Sequence, residues 1–166
     1  MNKFGFVSLI LTFVLFFLYF IPLGFYFQFE NPIVNSYIRI PIQLFTYQDK
    51  QIFFWGIETN GTFQNWFEIN FLTGLFLLIL TPLAGFLNLI GFWRENSTGK
   101  KLMKANFIIL LVIFLYSIIG IPIYSEEIIG VQFGYFDIFY YLNYGFFILI
   151  INLIIAGIGS GKHPIQ

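Results

Sequence analysis

Apolar residues fall in four long runs, at 4–27, 69–93, 102–124 and 135–158, and the polar residues lie mostly between them. A helix of about 20 apolar residues crosses a bilayer core about 30 Å thick. The pattern therefore predicts four transmembrane helices and a single tetraspan domain over 1–166. Between the spans it leaves a first loop at 28–68, a second at 94–101, a third at 125–134 and a tail at 159–166. The first run exceeds the 7–15 apolar residues of a signal h-region and ends without a small-x-small site, so it reads as an anchor that stays in place.

Only the first loop is long enough to fold, and its sequence reads as strands rather than as a linker. Residues 37–47, 51–57 and 62–69 are rich in Ile, Phe, Thr and Tyr, and Asn60-Gly61 between the last two favours a type I′ hairpin. That register sets Thr59 opposite Thr62, Glu58 opposite Phe63 and Trp55 opposite Trp66, a cross-strand tryptophan pair. Pro32 and Pro41 would then mark an entry turn and a strand edge or bulge. The alternative is that these aromatics rest at headgroup level without forming a sheet. The fold expected is membrane α-helical: a four-transmembrane-helix bundle with a small antiparallel β-sheet formed by the first extracellular loop.

Charge orients this arrangement. Lys3, Arg94, Lys100, Lys101, Lys104 and Lys162 share one side with Glu95, whereas Arg39 and Lys50 share the other with Glu30, Asp49, Glu58, Glu68, Glu126, Glu127 and Asp137. Each side carries an excess of five charges, of opposite sign. By the positive-inside rule both termini and the 94–101 loop are cytoplasmic. With 58% hydrophobic and 10% charged residues the chain cannot cover a soluble globule. An integral membrane protein, of the plasma membrane, is expected.

Within the spans, Pro82 and the terminal Pro22 and Pro122 should kink or end helices. Asn88 and Asn152 lie at lipid depth, where an amide turns toward neighbouring helices.

Chemistry is sparse. There is no cysteine, and the single histidine, His163, lies in the tail, which reads as solvated. Disulfides, thiol chemistry and multi-histidine metal sites are excluded. Gly157-Ile-Gly-Ser-Gly-Lys162 lacks the first glycine and the Ser/Thr of a phosphate loop and has no preceding strand, so it reads as the frayed end of a span. Glu126 and Glu127 are adjacent and diverge, forming a solvated face, and Asp137 suits a helix N-terminus. No acid lies at mid-membrane depth, which argues against proton-coupled transport. Catalytic, cofactor and metal sites are not expected, nor is a nucleic-acid partner. Of the two sequons, Asn60-Gly-Thr62 and Asn96-Ser-Thr98, only Asn60 faces outward for glycosylation.

From 100 to 157 the chain resembles the claudin and peripheral myelin protein superfamily. Lys101 and Lys104 look like its basic inner loop, Ile121-Pro-Ile-Tyr124 like its span exit, and Gln132-Phe133-Gly134 after Ile128-Ile129 like the start of its last span. Phe139, Gly145 and Gly157 continue the likeness. Trp55-Gly56-Ile57 with Trp66 is similar to its first-loop strand motif, although the residue order differs and the two cysteines of its disulfide are missing. The resemblance implies a non-enzymatic protein with a structural, adhesive or membrane-organising role, self-associating or binding other membrane proteins. Trp55, Trp66, Asp49, Glu58, Glu68, Glu126 and Glu127 would then be the outer interaction residues, with Asn88 and Asn152 packing the helices. The alternatives are an accessory subunit of a larger membrane complex and, less well supported, a small channel or transporter.

Overall fold

The computed structural model describes residues 2–17, 44–67, 72–134 and 136–164. Residues 18–27 of the first apolar run, Glu30, Arg39, Glu68, Pro22, Pro32, Pro41 and the strand stretch 37–43 lie outside the described residues.

Helix α1 (Lys3–Phe17) opens the chain, and α2 (Leu72–Trp93) and α3 (Ser97–Leu115) form a hairpin. A π turn (Tyr116–Gly120) carries α3 into the short α4 (Ile121–Ile123), followed by α5 (Ser125–Ile129), a 3-10 turn (Asp137–Tyr141) and α6 (Tyr144–Gly161). Among the described residues three helical stretches are long and apolar enough to cross a membrane: Phe76–Trp93, Ser97–Ile123 and Tyr144–Gly161. The 15 residues of α1 are also apolar but extend only about 22 Å at 1.5 Å per residue.

α1 packs against α2 and α6, and α3 packs against the same two helices. Residues facing away from these contacts are as apolar as those within them: Phe76, Ile79, Phe86, Ile151 and Ile154 are exposed, while Leu77, Ala84, Leu110 and Leu149 are buried. Polarity is what distinguishes the interior. Ser8, Thr12, Thr81, Asn88, Asn106, Ser117 and Asn152 are all buried, which is the distribution that a hydrocarbon solvent imposes.

The first loop forms a four-stranded antiparallel meander, β1 (Phe45–Tyr47), β2 (Lys50–Ile52), β3 (Gly56–Thr59) and β4 (Thr62–Asn65), in sequential order. Thr59 pairs with Thr62 and Glu58 with Phe63, and Asn60 and Gly61 take φ of 52° and 77°, as a type I′ turn requires. The stretch 51–57, expected as one strand, is two. The chain reverses at Phe54-Trp55, with Ile52 opposite Ile57 and Phe53 N–H donating to Gly56 O at 2.8 Å.

Several boundaries also move. The helix of the fourth apolar run, α6, begins at Tyr144 rather than 135, because Asn143 caps it through a bond from Tyr144 N–H at 2.8 Å, and Asp137 opens the 3-10 turn instead. The 125–134 loop contains α5. The 94–101 loop shortens because Asn96 of the second sequon caps α3, accepting from Gly99 N–H at 2.9 Å. The π turn, with Ile121 N–H bonded to Tyr116 O, breaks the regular helix just before Pro122, and the helical stretch ends at Ile123.

The expected frayed end is an ordered one. α6 continues to Gly161, and His163 is 5% exposed. Asn2 Oδ1 accepts from Phe4 and Gly5 N–H at 3.1 and 3.2 Å, which orients its amide. Asn2 Nδ2 then donates to Gly159 O at 2.6 Å and meets His163 Nδ1 at 3.2 Å. His163 Nδ1 is therefore the acceptor, and Nε2–H donates to Arg94 O at 2.7 Å. This clasp joins the start of α1, the α2–α3 turn and the end of α6 at the pole opposite the sheet.

Candidate functional site

Two features fix the sheet on the helices. Trp55 stacks on Phe16 of α1 with centroids 4.4 Å apart, and its indole N–H donates to Phe16 O. Trp66 is 1% exposed, donates to Phe54 O at 3.0 Å and lies against Gly74 of α2 so closely that a Cβ there would overlap the ring. Backbone alignment does oppose the two residues, with Trp66 N–H donating to Trp55 O at 3.1 Å. Their rings nonetheless serve as separate anchors, one to each of two helices. Trp66 thus belongs to the sheet's buried face and not to its outer surface, because only burial on that side lets its large ring leave water.

The β1 edge is held by the segment before α6. Asn143 N–H donates to Leu44 O at 3.0 Å and Asn143 Nδ2 to Thr46 Oγ1 at 2.8 Å. Lys50 Nζ lies beside Gly130, at the C-terminus of α5, where a cation is favoured. Ser125 Oγ and Gln132 Nε2 both donate to Pro122 O, at 2.8 and 3.1 Å, and Phe133 N–H donates to Ser125 Oγ at 2.8 Å. The sheet pole is therefore one joined unit made from the 44–67 segment and the segment between α4 and α6.

Its accessible face is acidic and, at one side, aromatic. Asp49 is exposed in the β1–β2 turn, Glu58 is half-buried on β3, and Glu126 and Glu127 are exposed in the first turn of α5. Asn60 is exposed at the β3–β4 turn. Among the described residues β4 has a ladder partner on one side only, with Thr62 and Gln64 exposed. Phe136 and Tyr140 are 80% and 83% exposed beside this unit. No group of three His, Asp or Glu side chains suited to a metal ion comes together among the described residues.

Below the sheet, a polar seam runs through the helices. Ser8 Oγ donates to Asn152 Oδ1 at 2.7 Å, Asn152 Nδ2 to Thr12 Oγ1 at 2.9 Å, and Thr12 Oγ1 to Ser8 O at 2.9 Å. Asn88 Nδ2 donates to Gly5 O at 3.0 Å, while its Oδ1 has no hydrogen-bond partner. Asn106, fully buried on α3, has no partner for either amide atom among the described residues. Sequence reasoning singled out Asn88 and Asn152 but missed Asn106, Ser8 and Thr12. The signal was present in their spacing: Asn106 shares a face with Met103 and Leu110, and Ser8 and Thr12 stand one turn apart on α1.

Comparison of the chain with protein-family models, curated proteins and solved structures found no match.

Proposed function

We propose that this chain is a claudin-like tetraspan of the plasma membrane, with cytoplasmic termini and a non-enzymatic role in organising or joining membranes. In this reading the first apolar run, which α1 opens, supplies the remaining span, and the clasped pole, with Arg94, Lys100, Lys101, Lys104 and Lys162 nearby, faces the cytoplasm. The observation that carries it is the doubly anchored sheet. Trp55 on α1, Trp66 on α2 and Asn143 before α6 hold the sheet at a set height and angle above the helices, as a surface that must meet a neighbour in register would need. The accessible acidic face around Asp49, Glu126 and Glu127 would meet that neighbour. Asp49, Glu58 and Glu68, with Glu126 and Glu127, would draw cations toward the resulting contact by focusing a negative field.

A second reading, an accessory subunit of a larger membrane complex, is favoured by the exposure of Phe136 and Tyr140, since exposed aromatics of this kind form the core of an interface with a partner. Extraction in mild detergent followed by mass measurement separates the two. A homo-oligomer supports the organising role, and a fixed ratio to a different polypeptide replaces it with the subunit. In assembled barriers the triple variant D49N/E58Q/E68Q is expected to lower cation-over-anion preference by roughly threefold; an unchanged preference would remove the selectivity part of the proposal.

A further inference from the structure

The α2–α3 contact opens toward the sheet pole. There an apolar cleft of 470 Å³ lies between Phe76 and Leu80 of α2 and Val112, Tyr116, Gly120 and Tyr124 of the other wall, a size typical of ligand pockets. The π turn forms part of that wall. Gly120 makes room for the Tyr116 ring, since a Cβ at this position would overlap it, and the ring leans toward Phe76 with centroids 6.3 Å apart. π turns commonly mark functional positions in helices.

Both walls belong to helices apolar enough to lie in a bilayer, so the cleft opens sideways onto hydrocarbon. Its lining suits an alkyl chain and has little to offer a polar solute. At the sheet end the chain passes Tyr124 and enters α5, where Glu126 and Glu127 are exposed. Asp49 and Asp137 are exposed at the same pole. This charge complements a cationic ammonium and repels an anionic headgroup. We propose that the cleft is a lipid site that holds one acyl chain of a lipid bearing an ammonium headgroup, with the headgroup beside Glu126 and Glu127.

The test uses the full chain in nanodiscs of equimolar phosphatidylethanolamine and phosphatidylglycerol with identical acyl chains, transferred to mild detergent for native mass and lipid analysis. One lipid retained per chain is expected, enriched about threefold in ethanolamine. L80F/V112F, which fills the cleft, should lower retention about tenfold with helicity and melting unchanged. E126Q/E127Q alters only exposed groups and should preserve retention while abolishing the headgroup preference. Retention of no lipid, a headgroup ratio equal to that of the disc, or a preference unaffected by E126Q/E127Q would overturn the proposal. The site is independent of the organising role, because a chain that never self-associates still shows or lacks the retained lipid.

Discussion

Asn106 is the side chain most at odds with its surroundings, a fully buried amide with neither atom paired. Burying such a group without partners costs about 1–3 kcal/mol, so Asn106→Leu should raise stability by about 1 kcal/mol in detergent unfolding. Asn152 is the contrasting case. It accepts from Ser8 and donates to Thr12, and Asn152→Leu should cost about 1–2 kcal/mol, near the upper range for interhelical bonds in membranes. The same unfolding assay checks both, and equal effects would mean that pairing is not what separates the two amides. Composition made lipid-depth asparagines visible, but a string cannot tell which of them finds a partner. That depends on the rotation of α3 relative to its neighbours. His163 shows the same limit: its position near the end of the chain suggests a solvated tail, whereas Asn2 and Arg94 O, far away in sequence, bury it.

At the scale of elements, the contact between Trp66 and Gly74 ties the sheet to α2. A methyl group at 74 would overlap the indole, and overpacking of this kind typically costs about 1–3 kcal/mol. Gly74→Ala should shift Trp emission toward the red and increase proteolysis within 44–67 while leaving the helices intact; unchanged emission would show that the ring adapts in place. The β3–β4 hairpin was legible because Asn-Gly needs a particular backbone and thereby sets the register on both sides. The β2–β3 reversal was not. Phe53-Phe54-Trp55 is as apolar as any strand, and its turn needs no positive φ, which among the described residues is confined to Gln48, Asn60, Gly61 and Gly130. The start of α6 was hidden for a similar reason, since the aromatic run before it continues the apolar pattern without interruption and only the bonds of Asn143 reveal the break. Pro122 did announce the end of its helix, but the π turn before it was hidden, because such a turn is invisible to a reading based on a 3.6-residue repeat.

For the molecule as a whole, one end carries the clasp and the other the sheet, so the charge asymmetry becomes a statement about two faces. The absence of cysteine makes this simple to check. Thr62→Cys and Thr98→Cys each place a single thiol at an exposed position, one at each pole. A membrane-impermeant maleimide added to intact cells should label T62C and spare T98C until the membrane is opened; the reverse pattern would invert the topology. The polar seam also imposes an order on biogenesis. Ser8 and Asn152 are 144 residues apart, and at about 5–20 residues per second synthesis of the intervening chain takes roughly 7–30 s. In the membrane arrangement proposed above, α1 enters the bilayer well before α6 is made, and its hydroxyl groups await Asn152. A nascent chain stalled before α6 therefore leaves Ser8 and Thr12 without the amide that joins them.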